Sequence, residues 1–318
     1  MSEYSLHGKR VWVAGHRGMV GSAVARRFAS EPVAELVTAT SDELDLRNQH
    51  ATHAFVAETH PDVIVLAAGK VGGINANQSA QGQFLYDNLM IAANVIEAAR
   101  INDVERTVNL GSSCIYPMDA AQPMTEDALL TGRLDESNEG YAIAKIAALE
   151  LAKMYRRQYG MKAISLMPSN LYGPNDNFDL RTSHVLAALL RKIHEAKIDG
   201  AATVPIWGTG TPRREFLHVD DLANATVFAL EHYDGEEHLN VGTGSDVAIS
   251  ELADIIAKIV GYQGDFVYDA SMPDGTPRKL LDVTKLTELG WSASIGLEDG
   301  IASTYELYLQ NLASEAPR

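Results

Sequence analysis

Residues 10–28 read RVWVAGHRGMVGSAVARRF: an apolar run, a glycine-rich turn and a helix-forming segment in direct succession. Gly15, Gly18 and Gly21 stand at G-x-x-G-x-x-G spacing, directly after the run RVWVAG and at the opening of the helix. Glycine lets such a turn close and lets backbone N–H groups approach a pyrophosphate, which then rests on the positive end of the helix. A glycine triplet alone also occurs in ordinary strand-to-helix turns. Its setting, between one strand and a helix with a second strand to follow, is what dinucleotide binding requires.

The same alternation continues outward from this stretch. ELVTAT (35–40), VIVLAAG (63–69), RTVNLGSS (106–113) and KAISLMPSN (162–170) read as further strands. Between them, SAVARRFAS, RNQHATHAFVAETH, YDNLMIAANVIEAARIND and YAIAKIAALELAKMYRRQYG carry apolar residues at helical spacing. Strands that are apolar almost throughout have both faces covered, as in a parallel sheet. The expected fold is therefore α/β, a Rossmann-type doubly wound parallel sheet, with a smaller mixed α/β lobe at the C-terminal side. The pattern loosens after Gly173, with helices expected over 182–197, 220–233 and 249–261 and a long polar loop over 269–279. A dinucleotide-binding domain is expected over residues 1–173, some later strands returning to its sheet, and a substrate lobe mainly over 174–318.

Composition narrows the function. Twenty-six basic against 42 acidic residues leave a net charge of −16, which argues against nucleic acid as a partner. An anionic ligand must then be held by local clusters of Arg, Lys and backbone N–H groups against the overall field. One cysteine permits no internal disulfide. No apolar run approaches the roughly 20 residues that span a bilayer, so a soluble cytoplasmic protein without a membrane partner is expected. No metal-ligand spacing stands out.

Arg17, inside the glycine turn, could pair with the 2′-phosphate of NADP. The end of the second strand, Thr38, Ala39, Thr40 and Ser41, offers no arginine there, while Asp42 could accept a ribose hydroxyl of NAD. NADP (as NADPH) is the favoured cofactor and NAD stays open.

Tyr141 and Lys145 stand at i, i+4 on one helix face, about 6 Å apart at Cβ. An ammonium beside a phenol is expected to favour phenolate and lower its pKa from about 10, toward a range usable for proton transfer. An amphipathic helix with a half-buried Tyr and a snorkelling Lys would look the same in isolation. Ser112, however, lies at the carboxyl end of the fourth strand, where open α/β sheets place their ligands. Glycine turn, strand-end serine and Tyr-x-x-x-Lys, in that order, resemble the extended short-chain dehydrogenase/reductases. That resemblance implies hydride transfer at an oxygen-bearing carbon.

Cys114, in LGSSCIYP (110–117), is two residues from Ser112, and on an extended segment the two side chains would point the same way. Buried free cysteines are usually small hydrophobes. Next to a ketone, though, a thiol with an ordinary pKa of about 8.5 suits the removal of an acidified hydrogen from a neighbouring carbon. A second group must return the proton from the other face, and His184 in SHV is the best candidate, although a histidine at a helix start is more often a cap.

AGHRGMVGSA, AAGKVGGINAN, LGSSCIYP, YAIAKIA, NLYGPNDNF, SHV, WGTGTPRREFLHVDD, NVGTG and DGTPRKLLDV together resemble the GDP-L-fucose synthase family, from about residue 9 to 312. The resemblance implies NADPH-dependent epimerisation of GDP-4-keto-6-deoxy-D-mannose at carbons 3 and 5, then reduction of the carbon-4 ketone. It implies Cys114 and His184 as the epimerisation pair and Ser112, Tyr141 and Lys145 as the reductase triad. For the cofactor it implies Gly15, Arg17, Gly18, Met19, Val20, Gly21, Ala67, Ala68, Tyr141, Lys145, Pro168, Asn170, Leu171 and His184. Basic pairs occur as Arg191–Lys192, Arg213–Arg214 and Arg278–Lys279. Of these, the resemblance favours Lys192, Arg214 and Lys279 for the diphosphate and sugar, with Trp207 packing on the sugar. A homodimer through the helices 86–101 and 141–159 is also implied.

Two other enzyme classes on this scaffold fit less well. Dehydratases carry Thr and two acidic residues where this chain has Ser112, Ser113 and Cys114, and simple 4-epimerases lack the cysteine. A non-catalytic NADP-binding regulator would have lost Tyr141 or Lys145.

Overall fold

The computed structural model describes residues 4–272 and 274–315, so Pro273 of the expected polar loop and both extreme ends lie outside the described residues. The first half runs β1 (Arg10–Ala14), α1 (Met19–Phe28), β2 (Glu35–Val37), α2 (Gln49–Thr59), β3 (Val63–Leu66), α3 (Ile74–Ser79), α4 (Gln81–Ile101), β4 (Arg106–Leu110), α5 (Glu139–Tyr159) and β5 (Ala163–Pro168). The second half runs β6 (Asn170–Tyr172), α6 (Val185–Asp199), β7 (Thr203–Trp207), β8 (Arg213–Arg214), β9 (Phe216–His218), α7 (Val219–His232) and β10 (Leu239–Val241). It closes with β11 (Val247–Ala248), α8 (Ile249–Val260), β12 (Asp265–Asp269), β13 (Arg278–Lys279), α9 (Thr284–Glu288) and α10 (Leu297–Glu315).

Six strands pair in parallel in the order β10-β5-β4-β3-β1-β2. Every residue of β3, β4 and β5 is buried, which is why VIVL and AISLMP read as largely apolar runs, while RTVNL buries Arg106, Thr107 and Asn109 as well. Alternation along the strands feeds two cores. Val11, Val13, Val63 and Val65 pack with Phe28 of α1 and Leu222 of α7. Trp12, Ala14, Ile64 and Leu66 pack on the other face with Val56 of α2 and Ile96 of α4. The sheet is doubly wound, as expected. The strand order reverses between β1 and β3, and ligands bind at such a switch point, beyond the carboxyl ends of the strands.

Three local expectations need correction. The strand expected over 162–170 is two strands: Pro168 has no N–H to continue β5, Ser169 N–H donates to Val241 O, and β6 turns away to pair with β9. The strand expected over 106–113 stops at Leu110, and residues 113–115 form a 3₁₀ turn. The loop expected over 269–279 contributes β13 at its end.

The later strands form small sheets, β11-β8-β13 and β12-β7, around a core of Leu190, Ile193, Ile206, Leu252 and Ile256. Buried Glu215 ties this region to β10. Its carboxylate accepts N–H groups from Thr243 (2.6 Å), Gly244 (2.8 Å) and Leu281 (2.9 Å). Burial raises its pKa all the same, because loss of water outweighs the three donors. Among the described residues no helix is long and apolar enough to cross a membrane.

Candidate active site

The glycine turn sits at the switch point. Gly15 has φ +90°, and a Cβ there would lie 2.7 Å from Ala68 Cα. A Cβ on Gly21 would lie 2.0 Å from Gly15 O, so both positions demand glycine for the turn's own closure. Gly18 differs: it is exposed, and an added methyl would meet only Gly15 O at 3.6 Å. It is also the N-cap of α1, with no side-chain cap bond and no acidic residue in the first turn. The N–H groups at the start of α1 are thus left to an outside anion, and these residues fit a dinucleotide pyrophosphate. Gly21→Ala is expected to cost about 1–3 kcal/mol of folding stability through overpacking and to weaken nucleotide binding. Thermal unfolding and nucleotide titration check this, with Gly18→Ala unfolding like the wild type.

Met19 and Val20 open α1, and Ala67 and Ala68 follow β3 against Gly15. Pro168 closes β5, while Asn170 and Leu171 open β6, with Asn170 Nδ2 donating to Glu215 O at 2.8 Å. Arg17 is exposed, close enough to Glu43 for its charge to help lower that carboxyl, after the larger effect of hydrogen bonds from Thr40. Folding therefore brings a guanidinium to the end of β2, where the local sequence has none.

At the end of β4, Leu110 O accepts Lys145 Nζ at 2.9 Å, and the next residues turn back toward α5. Ser112 is extended (φ −162°, ψ 147°), and its Oγ accepts the Cys114 N–H at 3.3 Å. This bond starts the 3₁₀ turn, so Ser112 and Cys114 do not share an extended segment as expected. They converge on Tyr141 by another route. The Tyr141 phenol hydrogen-bonds Ser112 and feels the charge of Cys114. Lys145 Nζ lies 5.7 Å from the Tyr141 ring centroid.

The expected fall in the Tyr141 pKa is not what this geometry gives. Burial raises it first, Cys114 adds to the rise, and only the Ser112 hydrogen bond opposes. Lys145 is itself buried and pulled down to about 8. An ammonium whose hydrogen bond goes to a backbone carbonyl, in a dry setting, does not outweigh desolvation of the phenol. Tyr141 is therefore held as the protonated donor.

His184 is the N-cap of α6 but makes no side-chain cap bond, so its imidazole is not spent on capping. It reaches solvent, yet enough protein surrounds it that burial lowers its pKa. The segment after β3 runs between Lys145 and the stretch just before His184. A Cβ on Gly69 would lie 3.7 Å from Lys145 Nζ, and Gly73 N–H donates to Thr182 O at 2.9 Å.

The basic pairs separate by strand alternation. β8 and β13 pair in parallel, Arg213 opposite Arg278 and Arg214 opposite Lys279. Arg213 and Arg278 both bind the carboxylate of Asp246, Arg213 Nε at 2.7 Å from Oδ1. Arg214 and Lys279 have no ion pair among the described residues; Arg214 is half-buried with its pKa lowered by burial, first, against Asp135 and Asp274. On α6, Arg191 is bound to Glu195, whereas Lys192 Nζ lies 5.4 Å over the Trp207 ring. Trp207 is 47% exposed, not a core residue as strand tryptophans usually are.

The chain resembles known proteins over nearly its whole length. Residues 11–242 match the model of the NAD dependent epimerase/dehydratase family. The chain belongs to that family. It is 54% identical over 312 residues to a GDP-L-fucose synthase of Escherichia coli, covering 95% of this chain and 97% of that one. It is 51% identical over 313 residues to one of Sinorhizobium fredii, covering 98% and 99%. A crystal structure of a GDP-L-fucose synthetase from Naegleria fowleri bound to NADP superposes with a TM-score of 0.90 at 27% identity, covering 98% and 96%.

Within this epimerase/dehydratase frame, sequence reasoning missed Asn138. Asn138 Nδ2 donates to Cys114 Sγ at 3.4 Å. An Asn just before YAIAK reads only as a helix cap, and nothing local announces a partner 24 residues upstream. Among the described residues no group of three or more His, Cys, Asp or Glu could hold a metal ion.

Proposed function

We propose that this cleft converts GDP-4-keto-6-deoxy-D-mannose to GDP-L-fucose, using NADPH. The observation that carries the reading is the Cys114 thiol beside the Ser112–Tyr141 pair. A ketone gripped by those two hydroxyls has acidified hydrogens on carbons 3 and 5, within the chemistry of a thiolate base. A pocket that only reduced the ketone would have no use for the sulfur.

Cys114 Sγ takes a proton from carbon 3 or 5, and the electron pair moves to the carbon-4 oxygen as an enolate. Ser112 and Tyr141 hydroxyls stabilise that oxygen. Imidazolium at His184 returns a proton on the opposite face, inverting the centre and restoring the ketone. Its burial-lowered pKa favours release of that proton. Solvent at the exposed His184 then resets the pair. NADPH, when bound on the glycine turn, would supply the hydride that carbon 4 takes after both centres are inverted. Tyr141 gives its proton to the new alkoxide, with Lys145 behind it.

Arg214, Lys279 and Lys192 are assigned to the diphosphate and sugar, and Trp207 to the sugar face. Arg17 is assigned to the 2′-phosphate. The site is assigned to the junction of a domain built on residues 1–173 with β10 and a lobe from the remainder. Exposed Tyr86 and Leu89 on α4 and Ile143 and Met154 on α5 suit a homodimer contact between these packed helices.

Incubating the purified protein with GDP-4-keto-6-deoxy-D-mannose and NADPH tests the reading: reduced-nicotinamide absorbance falls and GDP-L-fucose appears. Reduction to an unepimerised 6-deoxy sugar would sink it. Arg214→Ala is expected to raise KM for the GDP-sugar about 10- to 100-fold, the loss of one charge-assisted hydrogen bond. NADPH affinity should hold, as titration of the two ligands will show.

A further inference from the structure

We propose that Asn138 is a positioning residue for the Cys114 base: its amide N–H holds the sulfur in place and stabilises the thiolate. Resting on the reading above for its role in turnover, the proposal stands on three observations. Asn138 Nδ2 lies 3.4 Å from Cys114 Sγ. Asn138 occupies the N-cap of α5 but makes no side-chain cap bond, so its amide is turned away from the helix it would ordinarily serve. Its Oδ1 is buried and has no hydrogen-bond partner among the described residues, leaving the sulfur as the contact that fixes the amide.

The geometry has a chemical consequence. An N–H donor stabilises the ionised form of the group it touches, and a base must be ionised before it takes a carbon-bound proton. The 3₁₀ turn started by Ser112 aims the thiol at the beginning of α5, the helix packed against it. Titratable and charged groups at this corner include Tyr141, Lys145 and the first-turn Glu139 on α5, and Glu136 and Asp135, with Lys279 near Asp135, on the approach to the helix. Of these, Tyr141 faces the sulfur, and Lys145 is bound to Leu110 O. Among the described residues the side-chain donor bonded to the sulfur is thus the neutral Asn138 amide.

Because the chain has a single cysteine, alkylation by iodoacetamide followed by mass spectrometry reads Cys114 alone. Asn138→Ala removes the donor without adding charge and is the deciding variant. Asn138→Asp keeps the size and capping ability of the side chain but replaces the donor with a carboxylate, whose charge also opposes a thiolate. Alkylation of Asn138→Ala at neutral pH is expected to fall about tenfold, with the pH midpoint moving up by about one unit. Exchange of carbon-bound substrate hydrogen should fall at least as far in kcat, with KM unchanged. Asn138→Asp should shift both in the same direction, and NADPH titration shows that the variants fold. If Asn138→Asp does not fold, Asn138→Ala carries the measurement. A wild-type alkylation profile and exchange rate in Asn138→Ala would reduce Asn138 to a helix-end residue and overturn the proposal. The alkylation experiment uses no substrate, so failure of the wild type to exchange label would sink the assigned reaction while leaving this proposal to the thiol profile.

Discussion

Replacing Cys114 by alanine is expected to slow exchange of the hydrogens at carbons 3 and 5 by on the order of 10²–10⁴-fold, the contribution of a positioned general base. NADPH binding should be unchanged. The thiol lies on the 3₁₀ turn after β4, whereas the turn proposed to cradle the nucleotide is the glycine turn after β1. The substitution removes one half-buried sulfur whose single side-chain hydrogen bond among the described residues is the one from Asn138, so the packing cost is small. Both exchanges should fall together, because the two carbons flank one ketone and are served by one base. Wild-type exchange in the variant, followed by proton loss from the substrate in deuterated water, would move the base elsewhere.

Tyr141→Phe should separate the two halves of the reaction. It keeps the ring that Lys145 lies against and removes only the hydroxyl bonded to Ser112. Reduction is expected to fall 10²–10⁴-fold, since the alkoxide loses its acid. Exchange should fall much less, because Ser112 still holds the enolate oxygen and Cys114 still takes the proton. Burial raises the phenol pKa, so a proton is held there for the proposed transfer at neutral pH. Equal losses of exchange and reduction would mean that both steps draw on one acid.

The sheet was legible because burial on both faces writes itself into the sequence: β3, β4 and β5 are buried at every position, and the glycine turn after β1 has steric reasons at Gly15 and Gly21. The later region was not. β8, β11 and β13 are two residues long, too short for any periodicity, and are set by pairing across distant segments. That pairing supplies the reason Arg214 and Lys279 differ from Arg213 and Arg278, which the sequence offered only as adjacent basic pairs. The site shows the same limit. The residue types at 112, 114, 141 and 145 were readable, but the Tyr141 pKa was misjudged. Helical spacing gives the distance to Lys145, whereas burial and the Leu110 carbonyl decide what that ammonium does. Asn138 reads as a cap because capping is local, while its bond to Cys114 exists only once the turn at 113–115 has formed.

The most direct test of one pocket doing both proton chemistry and reduction is to run the complete reaction in deuterated water with unlabelled NADPH and locate the label in the product. The account predicts GDP-L-fucose with deuterium at carbons 3 and 5 and protium at carbon 4. A product without deuterium at either flanking carbon, or with solvent label at carbon 4, would contradict it.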